Sequence, residues 1–546
     1  MGTKRNVIVF LIDDCGREYL SCYDQVAYNP AAPAARVDPL TSHWANQWEE
    51  AQQDRSRFRY PRTPWLNFSA TNGLLLERMN VAAMCSPTRA SLLTGKHNQD
   101  HTLGNAIQGT DVAAFGYRGP TIYNLMEAQG VRHARIHIGK WHASNSFLHS
   151  IDGMPLGRRN SERSFQTPVR DGGATYYDGS VMNLGPDVPG YEFGAKGQSH
   201  ARYVRARHDA HTGEFQIEKR DTHSLIDETE AALESIQRAR NAGRPFLMNV
   251  WFHAVHTPTE WEEMGGAELS QKGYHGYGAA DPGDDALRIG AFVESVDTAC
   301  QRIYEALTPA ERDQTMIVYL SDNGSTARML DTKTSPSLPP AGPNGNPYNR
   351  MHSKRSPWQG GIGAACVMLG PDIVDPGGGR QPRVWSGLCG VEDVFHQICR
   401  WTGVQAPATR GEDSRVLERA LSDTSPTGRR SYTQRAFANG FHDDIFSEAQ
   451  RGAVRFVSQQ NDAGWKLLWL RAGPAPTSEV AWEWQLYSMP RDPLEAENRF
   501  PAKQSDETIQ QRYDLLSGAA RVQFNELYQA LREANLIPPG MAVTLS

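Results

Sequence analysis

In Asn6-Val-Ile-Val-Phe-Leu-Ile12, six apolar residues follow one another without a polar break, and Asp13-Asp14 closes the run at once. Successive strand residues point to opposite faces, so an unbroken apolar run fits a strand buried on both faces, as in a parallel sheet. Arg244-Pro-Phe-Leu-Met-Asn-Val-Trp-Phe252 and Gln314-Thr-Met-Ile-Val-Tyr-Leu320 read the same way, and Ala365-Cys-Val-Met-Leu369 is a weaker case. Between these strands lie stretches with apolar residues near 3.6 spacing, including Asp221 to Ala242 and Asp285 to Leu307. The alternation predicts an α/β fold, a large and mostly parallel sheet sandwiched by helices. Ligands of such sheets collect beyond the carboxyl ends of the strands. Asp13-Asp14 and Asp322-Asn323 both follow strand ends, so both pairs point at one rim.

The texture changes after about residue 410, which divides the chain into a catalytic unit, 1–410, and a smaller C-terminal α+β unit, 411–546. There, Ala453 to Val457 and Trp465 to Leu470 flank the turn residues Asn461-Asp-Ala-Gly464, which predicts a hairpin. Trp482 to Tyr487 adds a strand to an antiparallel sheet, and Ile509 to Asn535 reads as one closing helix. Trp465, Trp469, Trp482 and Trp484 are expected to pack that sheet. Three stretches, 24–63, 147–216 and 329–348, lack periodicity and read as rim loops or lids. Within the second, Arg202, Arg205, Arg207 and His208 form a basic patch expected to be solvated, and His208 and His211 a solvated pair.

The composition narrows the function. Lys and Arg total 56 against 62 Asp and Glu, a net charge of −6, which lacks the clustered cations that phosphate backbones need and argues against nucleic acid as a partner. No apolar run approaches the roughly 18 residues of a membrane helix, so no membrane partner is expected. Seven cysteines form no evident disulfide framework, and Cys15 and Cys22 read as packing residues. The N-terminus lacks a secretory pattern, so the expected location is cytoplasmic.

Chemistry concentrates at Cys85-Ser-Pro-Thr-Arg-Ala-Ser-Leu-Leu-Thr-Gly95. Pro87 suits a first helical turn, which puts Cys85 at a helix N-terminus, where partial positive charge favours an anionic group. The bland alternative for a lone Cys is a buried packing residue. Asp13, Asp14, Asp322 and the Asn323 amide form an all-oxygen set suited to a hard cation, Ca2+ ahead of Mg2+ or Mn2+. No His or Cys cluster at zinc spacing competes.

The Cys-x-Pro-Thr-Arg spacing with its Leu-Thr-Gly ending resembles the signature of type I sulfatases, of the alkaline-phosphatase-like superfamily. In those enzymes the Cys is converted to formylglycine. Further pieces follow in family order: Asp13-Asp14, Gly139-Lys-Trp-His142, Ala254-Val-His-Thr-Pro258, Ser321-Asp-Asn-Gly324, Lys354 with Trp358-Gln-Gly-Gly-Ile362, and Leu486 to Asn498. Val255 and Gln359 depart from the usual Pro and Glu. The resemblance implies a sulfuric ester hydrolase, after a formylglycine-generating enzyme has acted on Cys85, and the lack of a secretory pattern points to a small aryl or alkyl sulfate ester as its substrate. It implies Asp13, Asp14, Asp322, Asn323 and the converted Cys85 as metal ligands. It also implies Arg89 as an anchor of the nucleophile, Lys140 and Lys354 on the sulfate oxygens, His256 as acid and His142 as base.

Some choices stay open in the sequence. His253 competes with His256, and Arg355 and His352 compete with Lys354. A phosphonate monoester or phosphodiester hydrolase of the same superfamily is the rival reading, although such enzymes often carry Asp-His where this chain has Asp322-Asn323. A non-catalytic protein binding a sulfated ligand is a second rival, and a homo-oligomer is compatible with the chain.

Overall fold

The unbroken apolar run is explained by its place. In a computed structural model, β1 (Asn6–Ile12) pairs in parallel with β7 (Phe246–Trp251) on one side and β8 (Thr315–Ser321) on the other. The described residues are 5–23, 61–98, 100–101, 103–107, 120–143, 161–184, 199–331, 352–373, 383–407, 416–422, 431–436, 456–472, 481–489, 495, 497–502, 507–538 and 540–546. Side chains of β1 alternate between two cores. Val7, Val9 and Leu11 join one, and Ile8, Phe10 and Ile12 join the other. Each core is roofed by helices: Cys85–Thr94, Ile122–Ala128 and Val391–Thr402 on the first face, and Pro64–Asn72, Ser224–Asn241 and Asp285–Glu305 on the second. Among the described residues no helix is long and apolar enough to cross a membrane.

The main sheet has ten strands, in the order β10 (Arg383–Gly390), β2 (Leu74–Asn80), β9 (Cys366–Leu369), β8, β1, β7, β3 (Ala134–Lys140), β4 (Tyr176–Ser180), β5 (Tyr203–Asp209) and β6 (Glu214–Arg220). It is mixed and mostly parallel, with β9, the weak strand of the sequence reading, antiparallel to both neighbours. Two reversals in succession leave β2 running in the same sense as β8, so β1, β2, β3, β7 and β8 all deliver their carboxyl ends to one rim. Asp14, Lys140, Asp322 and the loops to Cys85 and His256 leave from there.

Residues 147–216 are not one long loop. Their described part holds a helix, Ser161–Arg170, then β4, β5 and the start of β6. These edge strands are charged, which hid them from a pattern search. Arg205 is buried rather than part of a solvated patch: it pairs with Asp178, donating from Nη2 at 2.7 Å, and lies 3.2 Å from Asp227. His208 is half-buried and His211 exposed. Of the other two stretches, residues 24–60 and 332–348 lie outside the described residues.

The second sheet is antiparallel, in the order β11 (Ser431–Ala436), β12 (Phe456–Asn461), β13 (Trp465–Ala472) and β14 (Ala481–Ser488). The β12–β13 hairpin turns where expected. The closing helix is two, Ile509–Asp514 and Gly518–Glu533, separated where Gly518 adopts a positive φ of 53°. Trp469 and Trp484 are fully buried against these helices, their indole N–H groups donating to the carbonyls of Leu536 (2.9 Å) and Met541 (3.2 Å). Trp465 is partly buried there, and the Trp482 side chain lies outside the described residues.

Candidate active site

The helix Cys85–Thr94 is buried at all ten positions, and Gly95 ends it in the left-handed conformation, donating to the Ser91 carbonyl at 2.8 Å. Cys85 opens the helix beneath the rim. Its thiol donates to Asp13 Oδ1 at 3.3 Å and accepts from Lys354 Nζ at 3.3 Å. Four turns of chain therefore converge on this sulfur: the end of β1, the exit from β2, the end of β3 through Lys140 on Asp13, and the segment carrying Lys354.

Three carboxylates face three cations here. Lys140 pairs with Asp13, Lys354 with Asp14, and Arg89 donates from Nε (3.0 Å) and Nη2 (2.7 Å) to Asp322 Oδ2. Arg89 Nη1 also donates to the Lys140 carbonyl at 2.8 Å, and its guanidinium lies 5.4 Å from the centroid of the Trp251 ring. Burial raises the proton affinity of Asp13, but Lys140, His256, Arg89 and Lys354 outweigh it and hold the carboxyl well below its usual range. Asp322 goes the other way. Burial and the neighbouring Asp13 charge push it up to about 7, more than Arg89 and Lys140 offset. Unequal proton affinities in one buried carboxylate cluster are common at functional sites.

The same cluster fits a hard cation. Asp14 Oδ2 and Asn323 Oδ1 are buried oxygens that accept no hydrogen bond from the described residues. Such atoms are costly unless a cation or donor satisfies them. Asn323 Nδ2 is committed to Asp14 Oδ1 and the Gly324 carbonyl, both at 2.8 Å, which turns Oδ1 away from both. Asp13, Asp14, Cys85 and His256 present ligand atoms all within 4.8 Å of one another. Asp322 sits one step behind, its Oδ1 accepting the Asp14 backbone N–H at 3.2 Å and its Oδ2 held by Arg89. The tightest group thus includes His256, which sequence reasoning placed among the acids rather than the ligands.

Strand exits position the two imidazoles. Gly139, next to last in β3, has φ 84°, and a Cβ there would lie 2.2 Å from the Trp251 carbonyl oxygen, so glycine is required. His142 follows at φ 44°, and Asp14 at 63° and Arg355 at 78° share this unusual geometry. Non-glycine residues in that region cluster where the fold over-determines them, often at sites. His142 Nε2 donates to the Ile107 carbonyl at 3.0 Å, which leaves its buried Nδ1 lone pair with no hydrogen bond among the described residues. Ile107 N–H in turn donates to Ser86 Oγ at 3.0 Å, tying His142 to the Cys85 helix. Burial, then Lys140, holds His142 well below its ordinary range and favours the neutral imidazole.

His253 is tied into the interior. Its Nδ1 is 2.5 Å from Glu228 Oε1 and its Nε2 3.1 Å from the Met182 carbonyl, so both nitrogens are committed in the interior. His256 is more accessible, with Nδ1 donating to the Thr257 carbonyl at 2.7 Å and Nε2 facing Asp14. Arg355 is exposed, while Lys354 reaches Cys85. Sequence reading missed three supports. Ser325 accepts from Gly16 N–H on Oγ (2.9 Å) and from Lys354 N–H on its carbonyl (2.8 Å); His200 Nε2 donates to the His256 carbonyl at 2.8 Å; and Glu228 orients His253. Ser325 only borders a motif, Glu228 is one polar residue of a helical stretch, and His200 stands in no pattern, so their contacts with the site leave no sequence signal.

A family model described as Sulfatase matches residues 5–404. Arylsulfatase G of Rattus norvegicus is 24% identical over 413 residues, covering 72% of this chain and 68% of that protein. Steryl-sulfatase of Rattus norvegicus is 24% identical over 464 residues, covering 74% and 72%. A solved structure in complex with its substrate, D-glucosamine-2-N,6-O-disulfate, superposes with a TM-score of 0.56 at 16% identity, covering 98% of each chain.

Proposed function

The chain belongs to the sulfatase family and hydrolyses sulfate esters, and from that premise we propose how its residues divide the reaction and what substrate they take. The observation that carries the reading is Cys85 Sγ held between Asp13 and Lys354 at the head of a buried helix. Burial, reinforced by the charges of Asp13 and Asp322, pushes the thiol far above its ordinary range. An unmodified side chain is therefore a neutral thiol at pH 7 and a poor nucleophile. Conversion of Cys85 to formylglycine by a formylglycine-generating enzyme would supply an oxygen nucleophile at this position, and Ca2+ beside it would supply positive charge facing the sulfate.

Asp13, Asp14 and Asn323, with Asp322 behind them, would hold the cation by oxygen, which suits a hard ion. Arg89 fixes Asp322 and the Lys140 carbonyl. Lys140 and Lys354 hold the sulfate oxygens, where negative charge builds. With its Nδ1–H committed to Thr257, His256 turns Nε2 to the pocket, and as the imidazolium it gives from there the proton that the departing ester oxygen takes. His142 takes a proton from position 85 on Nδ1, the lone pair left open by its bond to Ile107.

For the substrate we favour a small aryl or alkyl sulfate ester, supported by relatives named arylsulfatase and steryl-sulfatase. Rates on an aryl sulfate, a phosphodiester and a phosphonate monoester sharing one leaving group test this. The sulfate is expected to be fastest, and a faster phosphonate would reverse the assignment.

A further inference from the structure

Lys354 reaches Cys85 only because the segment 352–363 is laid across two strand exits. Lys354 N–H donates to the Ser325 carbonyl (2.8 Å), Arg355 N–H to the Ala83 carbonyl (3.0 Å), Gly324 N–H to the Gly361 carbonyl (3.0 Å) and Val81 N–H to the Ile362 carbonyl (2.9 Å). The fit is close enough that a Cβ on Gly324 would lie 1.8 Å from the Gly360 carbonyl oxygen. On its far side this segment is gripped from the C-terminal sheet, beyond the residues matched by the family model. Glu495 Oε2 accepts the Gln359 backbone N–H at 2.5 Å, and Trp358 Nε1 donates to Tyr487 Oη at 3.3 Å.

Glu495 is itself an expensive choice. Its carboxylate is buried and balanced by the buried Lys466 of β13, with 2.6 Å between Nζ and Oε1. Its backbone sits at φ 54°, unusual for a residue with a side chain. Asn498 keeps it in place, with Oδ1 accepting both Leu486 N–H and Phe500 N–H at 2.9 Å, which staples this stretch to β14. A buried ion pair often adds little net stability compared with apolar residues of similar size. We propose that Glu495, seated on Lys466, is a positioning residue for the reaction: it hooks the Gln359 backbone and so sets the reach of Lys354 to position 85. The inference rests on the role given to Lys354 above.

The test compares full-length variants in turnover and thermal melting. Glu495→Leu with Lys466→Met removes both charges, so no buried ion is left unpaired, yet loses the acceptor for Gln359. It is expected to melt near the wild type while kcat falls by up to about 10²-fold, the scale of a displaced catalytic group, with KM changed little. Glu495→Gln with Lys466→Met restores an acceptor without charge and is expected to recover kcat. Wild-type kcat in the Leu/Met pair, or equal loss in both pairs, overturns the inference. Lys354→Ala is run beside them. If it keeps full turnover, the role of Lys354 fails and this inference with it; if it is inactive while the Leu/Met pair is not, only the inference about Glu495 fails.

Discussion

His256 turns Nε2 toward Asp14, 3.8 Å from Oδ2, because Nδ1 is tied to the Thr257 carbonyl and His200 holds the His256 carbonyl from behind. The imidazole is thus fixed at both ends of its residue, with one nitrogen left for the pocket.

That arrangement predicts a dependence on the leaving group. His256→Gln removes the proton donor but not the sulfate contacts. Its kcat should drop by about 10²-fold or more on an alkyl sulfate, whose leaving oxygen needs a proton, and far less on an activated aryl sulfate. Rates on the two substrates check it, and equal losses on both would contradict it.

The buried carboxylates predict a stabilising cation. Added Ca2+ should raise the melting temperature of the wild type, with about 2.7 kcal/mol gained at a hundredfold excess over Kd. Asp13→Asn, which removes a ligand charge, should flatten that response, and a chelator should abolish turnover until Ca2+ is returned. Calorimetric melts with and without the ion measure this.

Away from the rim, Asp297 predicts a pH effect on stability alone. It lies on the helix Asp285–Glu305 and accepts the backbone N–H groups of Trp65 (3.0 Å) and Leu66 (2.8 Å), capping a helix whose own Thr63 side chain makes no cap bond. Burial pushes it up to about 7 despite those bonds. An aspartate in an unfolded chain titrates near about 3.9, so the folded state binds the proton more tightly. The stability this contributes is complete below about pH 4 and is lost as pH rises through 7, with a slope of at most about 1.4 kcal/mol per pH unit. Asp297→Asn does not titrate, so its stability should lack that slope over pH 4 to 7. Urea denaturation across the range compares the two.

The sequence was most legible where both faces of a strand are buried. β1, β7 and β8 show as apolar runs because each residue meets one core or the other, and the acids that follow β1 and β8 stand at their carboxyl ends for the same reason. β5 was illegible because it carries charged side chains whose partners are distant in the chain, as with Arg205 and Asp178. The residues at the candidate site were legible as motifs, but the choices between neighbours were not. His253 and His256 differ only in which one the fold ties to Glu228, and Lys354 differs from Arg355 only in direction. Those differences depend on loop paths set by packing that leaves no periodic trace.

The role of position 85 is tested most directly by the turnover of Cys85→Ala on an aryl sulfate, measured beside wild-type protein whose Cys85 peptide shows the aldehyde by mass spectrometry. The variant should fold and bind Ca2+ through its carboxylates, yet lose at least about 10³-fold in kcat, as expected when a nucleophile is removed. Turnover equal to that of the wild type would contradict the account.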